Sequence, residues 1–363
     1  MSEAPNHLSG ASAEWLLWLA DPTPCRAPPA SGLTLAECSS LLDQAERHGV
    51  LTACLARLKR TGAALCVSKD EAAAIIRDKT RRSVELISVQ MMLAHHGKAV
   101  IQSLERTGVS FILVKGQTFA ERLYSQATHR GYTDIDLLIP SSARAAASLV
   151  LRKQGFELHD MEYRKGSDYF EDKWLLGGNP NIMIEVHCDL VHNPKLRRSF
   201  SLQYDDVLEA GNGDPYDATA LFFVAAVHGA AGHQFDRLQQ LVDVLLCARG
   251  AAGPIDVERL RSVGDRCGVT GAIVAALDLA GRTFDDTASR SLTSALRPSM
   301  FEKAAARLLS PNVVLGTQSG RRPFISWRRK TFRQTLRYSS RRSTRDGALV
   351  KQRGVQAEAA CVE

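Results

Sequence analysis

The feature that most constrains this chain is a pair of acids opening an apolar run, Asp134-Ile135-Asp136-Leu137-Leu138-Ile139, eighteen residues after Gly116 in Lys115-Gly116. A second apolar run, Phe111-Ile112-Leu113-Val114, leads into the Lys-Gly pair. Residues two apart on a strand share a face, so the pattern predicts Asp134 and Asp136 on one side, with Ile135 and Leu137 in a core. Two adjacent carboxylates repel unless a cation lies between them, which suits a hard divalent metal. A later run, Ile182-Met183-Ile184-Glu185-Val186-His187, alternates in the same way and offers Glu185 and His187. Three carboxylates on neighbouring strands are suited to holding two magnesium ions against a nucleoside triphosphate. The competing reading is a strand edge charged to discourage aggregation.

At 363 residues and 45% hydrophobic content, the chain can bury a substantial core. No run has the length needed to cross a bilayer, and the first twenty residues lack a basic n-region and a signal-length apolar run. The eight cysteines form no CxxC pair and have no histidine partner at zinc spacing, so reduced, mostly buried thiols in a cytoplasmic protein are expected. The net charge of +7 is unevenly spread. Residues 321–353 hold twelve Lys or Arg against one acid, Asp346, leaving residues 1–320 at about −2. Such a tail suits a polyanion or an acidic partner, with Trp327, Phe332 and Tyr338 among the arginines, or serves only as a solubilising extension.

Helical spacing dominates from Thr34 to Glu105, and Glu71–Gln102 reads as one long helix or two in succession. A strand over Val109–Val114, a helix from Thr118 to about Ser125 and the Asp134–Ile139 strand follow. A helix runs from Pro140-Ser141-Ser142 to Gln154, with Gly155 placed as its left-handed terminator. Residues 156–187 combine aromatics with turn signals at Gly166 and Gly177 to Pro180, which predicts antiparallel strands. Helices return over Asp217–Arg249 and Ile255 to about Leu309. The expected fold is α+β: a small mixed sheet with interleaved helices, flanked by helical regions. The divisions are a proline-rich segment 1–33, a helical region 34–107, a catalytic core 108–215, a helical region 216–320 and a flexible basic tail 321–363.

The run "LVKGQTFAERLY…HRGYTDIDLLI…IMIEVH" resembles the uncharacterised nucleotidyltransferase family within the DNA polymerase β-like nucleotidyltransferase superfamily. The matching positions are Lys115-Gly116, Leu123-Tyr124, Arg130, Asp134 to Leu138, and Ile184 to His187. The likeness continues through His228, His233 and Asp243, and covers roughly residues 34 to 310. Gln117 stands where the wider superfamily usually has Ser after Gly.

The resemblance implies transfer of a nucleoside monophosphate from a nucleoside triphosphate such as ATP to a hydroxyl or phosphate of an acceptor: a peptide, a small molecule or a saccharide. It also implies two Mg2+ ions, or Mn2+, held by Asp134, Asp136 and Glu185, with Glu185 helping to deprotonate the acceptor. Lys115, Gly116, Gln117, Arg130, His187, His228 and Asp243 are the expected nucleotide-binding residues. Gly116 would let backbone approach a phosphate at the start of a helix, or simply make a tight turn. Lys115 and Arg130 would meet triphosphate oxygens or balance the aspartates. Other functions in view are a nucleotide-binding protein without turnover and an RNA-directed transferase that uses the basic tail.

Overall fold

The computed structural model describes residues 8–62, 65, 69–159, 171–177, 179–191, 194–197, 199–316 and 328–336. Four helices come first: α1 (Gly10–Ala20), α2 (Leu35–Arg47), α3 (Leu51–Thr61) and α4 (Lys69–Arg106). Ser9 caps α1, and Thr34 with Glu37 closes a capping box on α2. Glu71–Gln102 is thus part of one unbroken helix.

Strand β1 (Ile112–Val114), helix α5 (Gly116–Leu123), strand β2 (Ile135–Leu138) and helix α6 (Arg144–Lys153) follow, then β3 (Phe156–Leu158), β4 (Glu171–Leu176) and β5 (Asn179–His187). Gly155 has φ +83°, the left-handed geometry expected after α6. The five strands form one mixed sheet ordered β1-β2-β5-β4-β3, in which β2 and β5 are parallel and the other neighbours antiparallel.

Alternation along β2 and β5 sorts their side chains. Ile135, Leu137, Ile184 and Val186 join Leu93, Val100 and Leu104 of α4 and Val150 and Leu151 of α6 in one apolar layer. Asp136, Glu185 and His187 face the other way. The fold is α+β, as the sequence pattern predicts.

After β5 come α7 (Pro194–Arg197), α8 (Tyr204–Ala210) and α9 (Ala218–Val227), which continues as a wider π-helical turn, His228–His233. The chain proceeds through α10 (Leu238–Ala248), α11 (Val257–Cys267), α12 (Thr270–Thr283), α13 (Thr287–Ala295), α14 (Met300–Ala306) and α15 (Pro311–Gly316). A further helix, α16, covers residues 328–336. No helix among the described residues is long and apolar enough to cross a membrane. Six described cysteines are free thiols, five of them buried.

The divisions expected at 33, 107, 215 and 320 do not coincide with separate cores. One apolar cluster takes Trp15 and Leu19 from α1, Leu41 from α2, Leu58 from α3, Phe119 from α5, and Leu245 and Ile273 from α10 and α12. The proline-rich segment is tied in because Asp21 pairs with Arg249 through two contacts of 2.6 and 3.0 Å. The basic tail is tied in as well: Phe332 and Leu336, one helical turn apart, are 0% and 2% exposed in the same cluster. Burying two large apolar side chains outweighs the tendency of a charged segment to stay solvated. Trp327, Tyr338 and most other tail residues lie outside the described residues.

Candidate active site

The parallel pairing of β2 and β5 places Asp136 directly opposite Glu185 and Leu138 opposite His187. On the other side of β5, β4 sets Lys173 opposite Glu185 and Glu171 opposite His187. These rows form one wall of a cleft of about 1010 Å³. Asp43 and Glu46 of α2 and Arg82 and Gln90 of α4 line a second wall, and His228, His233, Asp236 and Arg237 line a third.

Lys115 reaches the cleft through an unusual backbone. Its φ of 59° and ψ of −140° are sparsely populated by a non-glycine residue and cost roughly 1–3 kcal/mol. The return is an ammonium 2.7 Å from Asp136 Oδ1, with both side chains almost fully buried. Gly116 follows at φ +27°, where a Cβ would sit 3.4 Å from the Asp134 carbonyl oxygen, so the turn suits glycine. The helix expected at Thr118 therefore begins earlier, immediately after Lys115.

His187 is fully buried beneath Asp136, with Nε2 2.9 Å from Asp136 Oδ1 and 3.6 Å from Glu185 Oε2. Lys173 ion-pairs with Glu185 and lies 3.2 Å from Glu171. Burial alone would raise the Asp136 carboxyl, but the Lys115 ammonium and the His187 ring outweigh it and hold the acid well below its usual range. Asp134 shows the opposite result. Burial, with the nearby charges of Asp136 and Glu185, pushes its carboxyl up to about 7. Burial works against the charged Lys115, yet Asp136, Asp134 and Glu185 more than compensate and raise its pKa. Lys173 is raised in the same way by Glu185 and Glu171.

Among the described residues, Asp136, Glu185 and His187 can each bring one ligand atom within 4.8 Å of the others. The two carboxylates suit a hard divalent ion such as magnesium or manganese, whereas the imidazole nitrogen suits a transition metal and not magnesium. The tight group differs from the expected trio of Asp134, Asp136 and Glu185. Strand β2 begins at Ile135, so Asp134 lies in the bend before it and does not share the pleat that aims Asp136. It nevertheless lines the same cleft.

Other expected site residues have different partners. Arg130 donates from Nε and Nη2 to the two carboxylate oxygens of Asp243 at 2.9 and 2.8 Å, and from Nη1 to the Gly116 carbonyl at 3.0 Å. Tyr124 donates to the same Asp243 at 2.8 Å. Arg130 and Asp243 are thus paired beneath the Lys-Gly turn, which the contact of Arg130 with Gly116 helps to position, and Arg130 also lines the cleft. Gln117 is also turned from the expected phosphate contact, donating to Glu121 one turn along α5 at 2.8 Å. His228 and His233 both line the cleft, their rings edge to face at 4.6 Å.

Sequence reasoning missed four residues that build the site. Glu171 and Lys173 alternate with Trp174, a sign that they share a polar face. Their register with β5 was hidden by an irregularity between Leu175 and Leu176. Gln90 donates to the Arg130 carbonyl at 2.7 Å. Gln239 bridges the carbonyls of Gly49 and Gly131 at 3.0 and 2.8 Å, joining the helices from both ends of the chain to the loop before Asp134.

No curated protein and no solved structure matches this sequence. One protein family does, over residues 35–285, a span that takes in all three walls of the cleft. Its description agrees with a cleft in which buried carboxylates outnumber the lysines set against them. The chain belongs to that family, the uncharacterised nucleotidyltransferases.

Proposed function

We propose that the protein binds a nucleoside triphosphate, ATP among the candidates, in the cleft and transfers its nucleoside monophosphate to a hydroxyl or phosphate of an acceptor. A peptide, a small molecule and a saccharide are the acceptor classes in view, and the cytoplasm is the expected setting. The supporting observation is the pairing of Asp136 with Glu185 across parallel strands, with Asp134 at the same cleft and a lysine against each of the paired acids. Divalent ions held by Asp136, Glu185 and their neighbours, two in the full arrangement, would neutralise charge on the triphosphate. Lys115 and Lys173 hold these acids together, and with a divalent ion bound there their ammonium groups would be available to phosphate oxygens.

In the transfer, the acceptor oxygen forms a bond to the α-phosphorus while the bond from that phosphorus to the β-bridging oxygen breaks, releasing pyrophosphate. The acceptor's proton passes to a carboxylate of the same cleft: Asp134, which lines it beside the paired acids, and Glu185, held by Lys173, are the candidates.

The test is incubation with each labelled triphosphate and Mg2+ or Mn2+, plus candidate acceptors, while following pyrophosphate release and label transfer. The wild type should release pyrophosphate only with metal, and Asp136→Asn should not. Tight metal-dependent binding without release with any acceptor would favour the nucleotide-binding alternative. No binding at all would remove the proposal.

A further inference from the structure

The turn after α9 is under backbone strain at the edge of the cleft. His228–His233 is π-helical, a form that concentrates at functional positions, and it ends in two consecutive left-handed residues, Gln234 and Phe235, both at φ 51°. Such conformations persist only where the surroundings impose them. Phe235 is fully buried, donates its N–H to the Gly229 carbonyl at 2.8 Å, and lies so close that a Cβ on Gly229 would sit 2.5 Å from its ring.

The third restraint comes from a distant part of the chain. Arg329 of α16 donates from Nη2 to the His233 carbonyl, the end of the π-helical turn, and lies 4.0 Å from Asp236 Oδ2. A basic side chain on the last carbonyls of a helical turn satisfies groups that the turn leaves without a backbone donor. His233 and Asp236 line the cleft, whereas α16 is anchored from behind by Phe332 and Leu336.

We propose that α16 braces the cleft and that Arg329 is a positioning residue, fixing the His228–Asp236 segment in the shape that receives the nucleotide. This inference rests on the nucleotide reading of the cleft. It assigns the basic segment a role within this chain that needs no external polyanion.

The test compares full-length wild type, Arg329→Met and Arg329→Lys. Both substitutions leave Phe332 and Leu336 in place, so the anchor of α16 is retained. Backbone amide exchange over residues 234–236 and binding of the four ribonucleoside triphosphates with Mg2+ are measured, alongside thermal unfolding. Losing a charge-assisted hydrogen bond should speed exchange there and weaken triphosphate binding by about tenfold each in Arg329→Met, with partial recovery in Arg329→Lys. Unchanged exchange and affinity in Arg329→Met would overturn the inference. So would a uniform rise in exchange across the whole chain, since that marks general destabilisation. Failure of the wild type itself to bind any triphosphate would overturn the nucleotide reading, an outcome distinct from a variant that behaves like a binding-competent wild type.

Discussion

Two buried charge clusters lie on either side of the Lys115-Gly116 turn, and they are built on opposite principles. Below the turn, Arg130 and Asp243 meet through two parallel contacts, the remaining guanidinium nitrogen reaches a carbonyl, and Tyr124 fills another position on the carboxylate. Donors and acceptors there are matched. Above it, Asp134, Asp136, Glu185 and Glu171 share the cleft with Lys115 and Lys173, an excess of acid over base. One cluster is matched group for group, and in the other four carboxylates face two lysines. The difference separates a buried ion pair that sets geometry from an acidic cluster suited to the proposed cation, although both are built from the same residue types.

The largest effect should come from opening the matched cluster. Asp243→Ala leaves Arg130 buried without its carboxylate and should cost about 3–5 kcal/mol of stability, read by denaturant unfolding. A loss under about 1 kcal/mol would show that the pair is not what holds the turn.

Asp136→Asn should abolish pyrophosphate release and cost about 1.5–3 kcal/mol, less than Asp243→Ala, because Asp134 and Glu185 remain to face Lys115. Equal destabilisation by Asp136→Asn and Asp243→Ala would erase the contrast between the clusters.

A smaller effect concerns buried groups outside both clusters. Burial holds the His48 imidazole down at about 4, so its contribution is present above the ordinary value of 6.5 and is lost as pH falls towards 4. Burial pushes the Asp189 carboxyl up to about 7, against two backbone N–H donors at 2.7 and 3.2 Å. The folded state keeps that proton where the unfolded chain has released it, so its contribution declines as pH rises from 3.8 to about 7. The two slopes oppose each other between pH 4 and 6.5. Asp189→Asn removes the falling one, so stability of the variant measured by unfolding should rise more steeply with pH over that window than the wild type's. An unchanged slope would show that Asp189 is ionised in the folded protein.

The smallest effect is expected at Gln117→Ala. Its amide is engaged with Glu121 on α5, so stability should stay within about 0.5 kcal/mol and triphosphate affinity should not move. A clear loss of affinity would restore Gln117 to the phosphate site.

The sheet and the polar face of β2 and β5 were legible because period-two alternation survives even in short strands, and Asp136 and Glu185 are carried by it. The close grouping of Asp136, Glu185 and His187 was only partly legible: Asp134 lies just before β2 and outside its pleat, and His187 sits nearest the two acids. Arg130 and Asp243 were recognised as polar positions, but their pairing was not foreseen, since residues so far apart in sequence give no local sign of meeting. Lys173 was missed because the register shift in β4 hides what it faces. Phe332 and Leu336 were visible as an i, i+4 pair, but the surrounding arginines made the segment resemble a free tail.

The order of the strands has a consequence for synthesis. Asp136 cannot meet Glu185 until β5 has been made and has docked beside β2, and the cleft's third wall comes later still, from His228 to Gln240, with Arg329 in contact with it. Long-range parallel pairing is a slow step in folding. A partly translated chain therefore presents isolated acids and no pocket for a triphosphate. The cleft is thus assembled late in synthesis, after its wall on α2 and α4 has long been made.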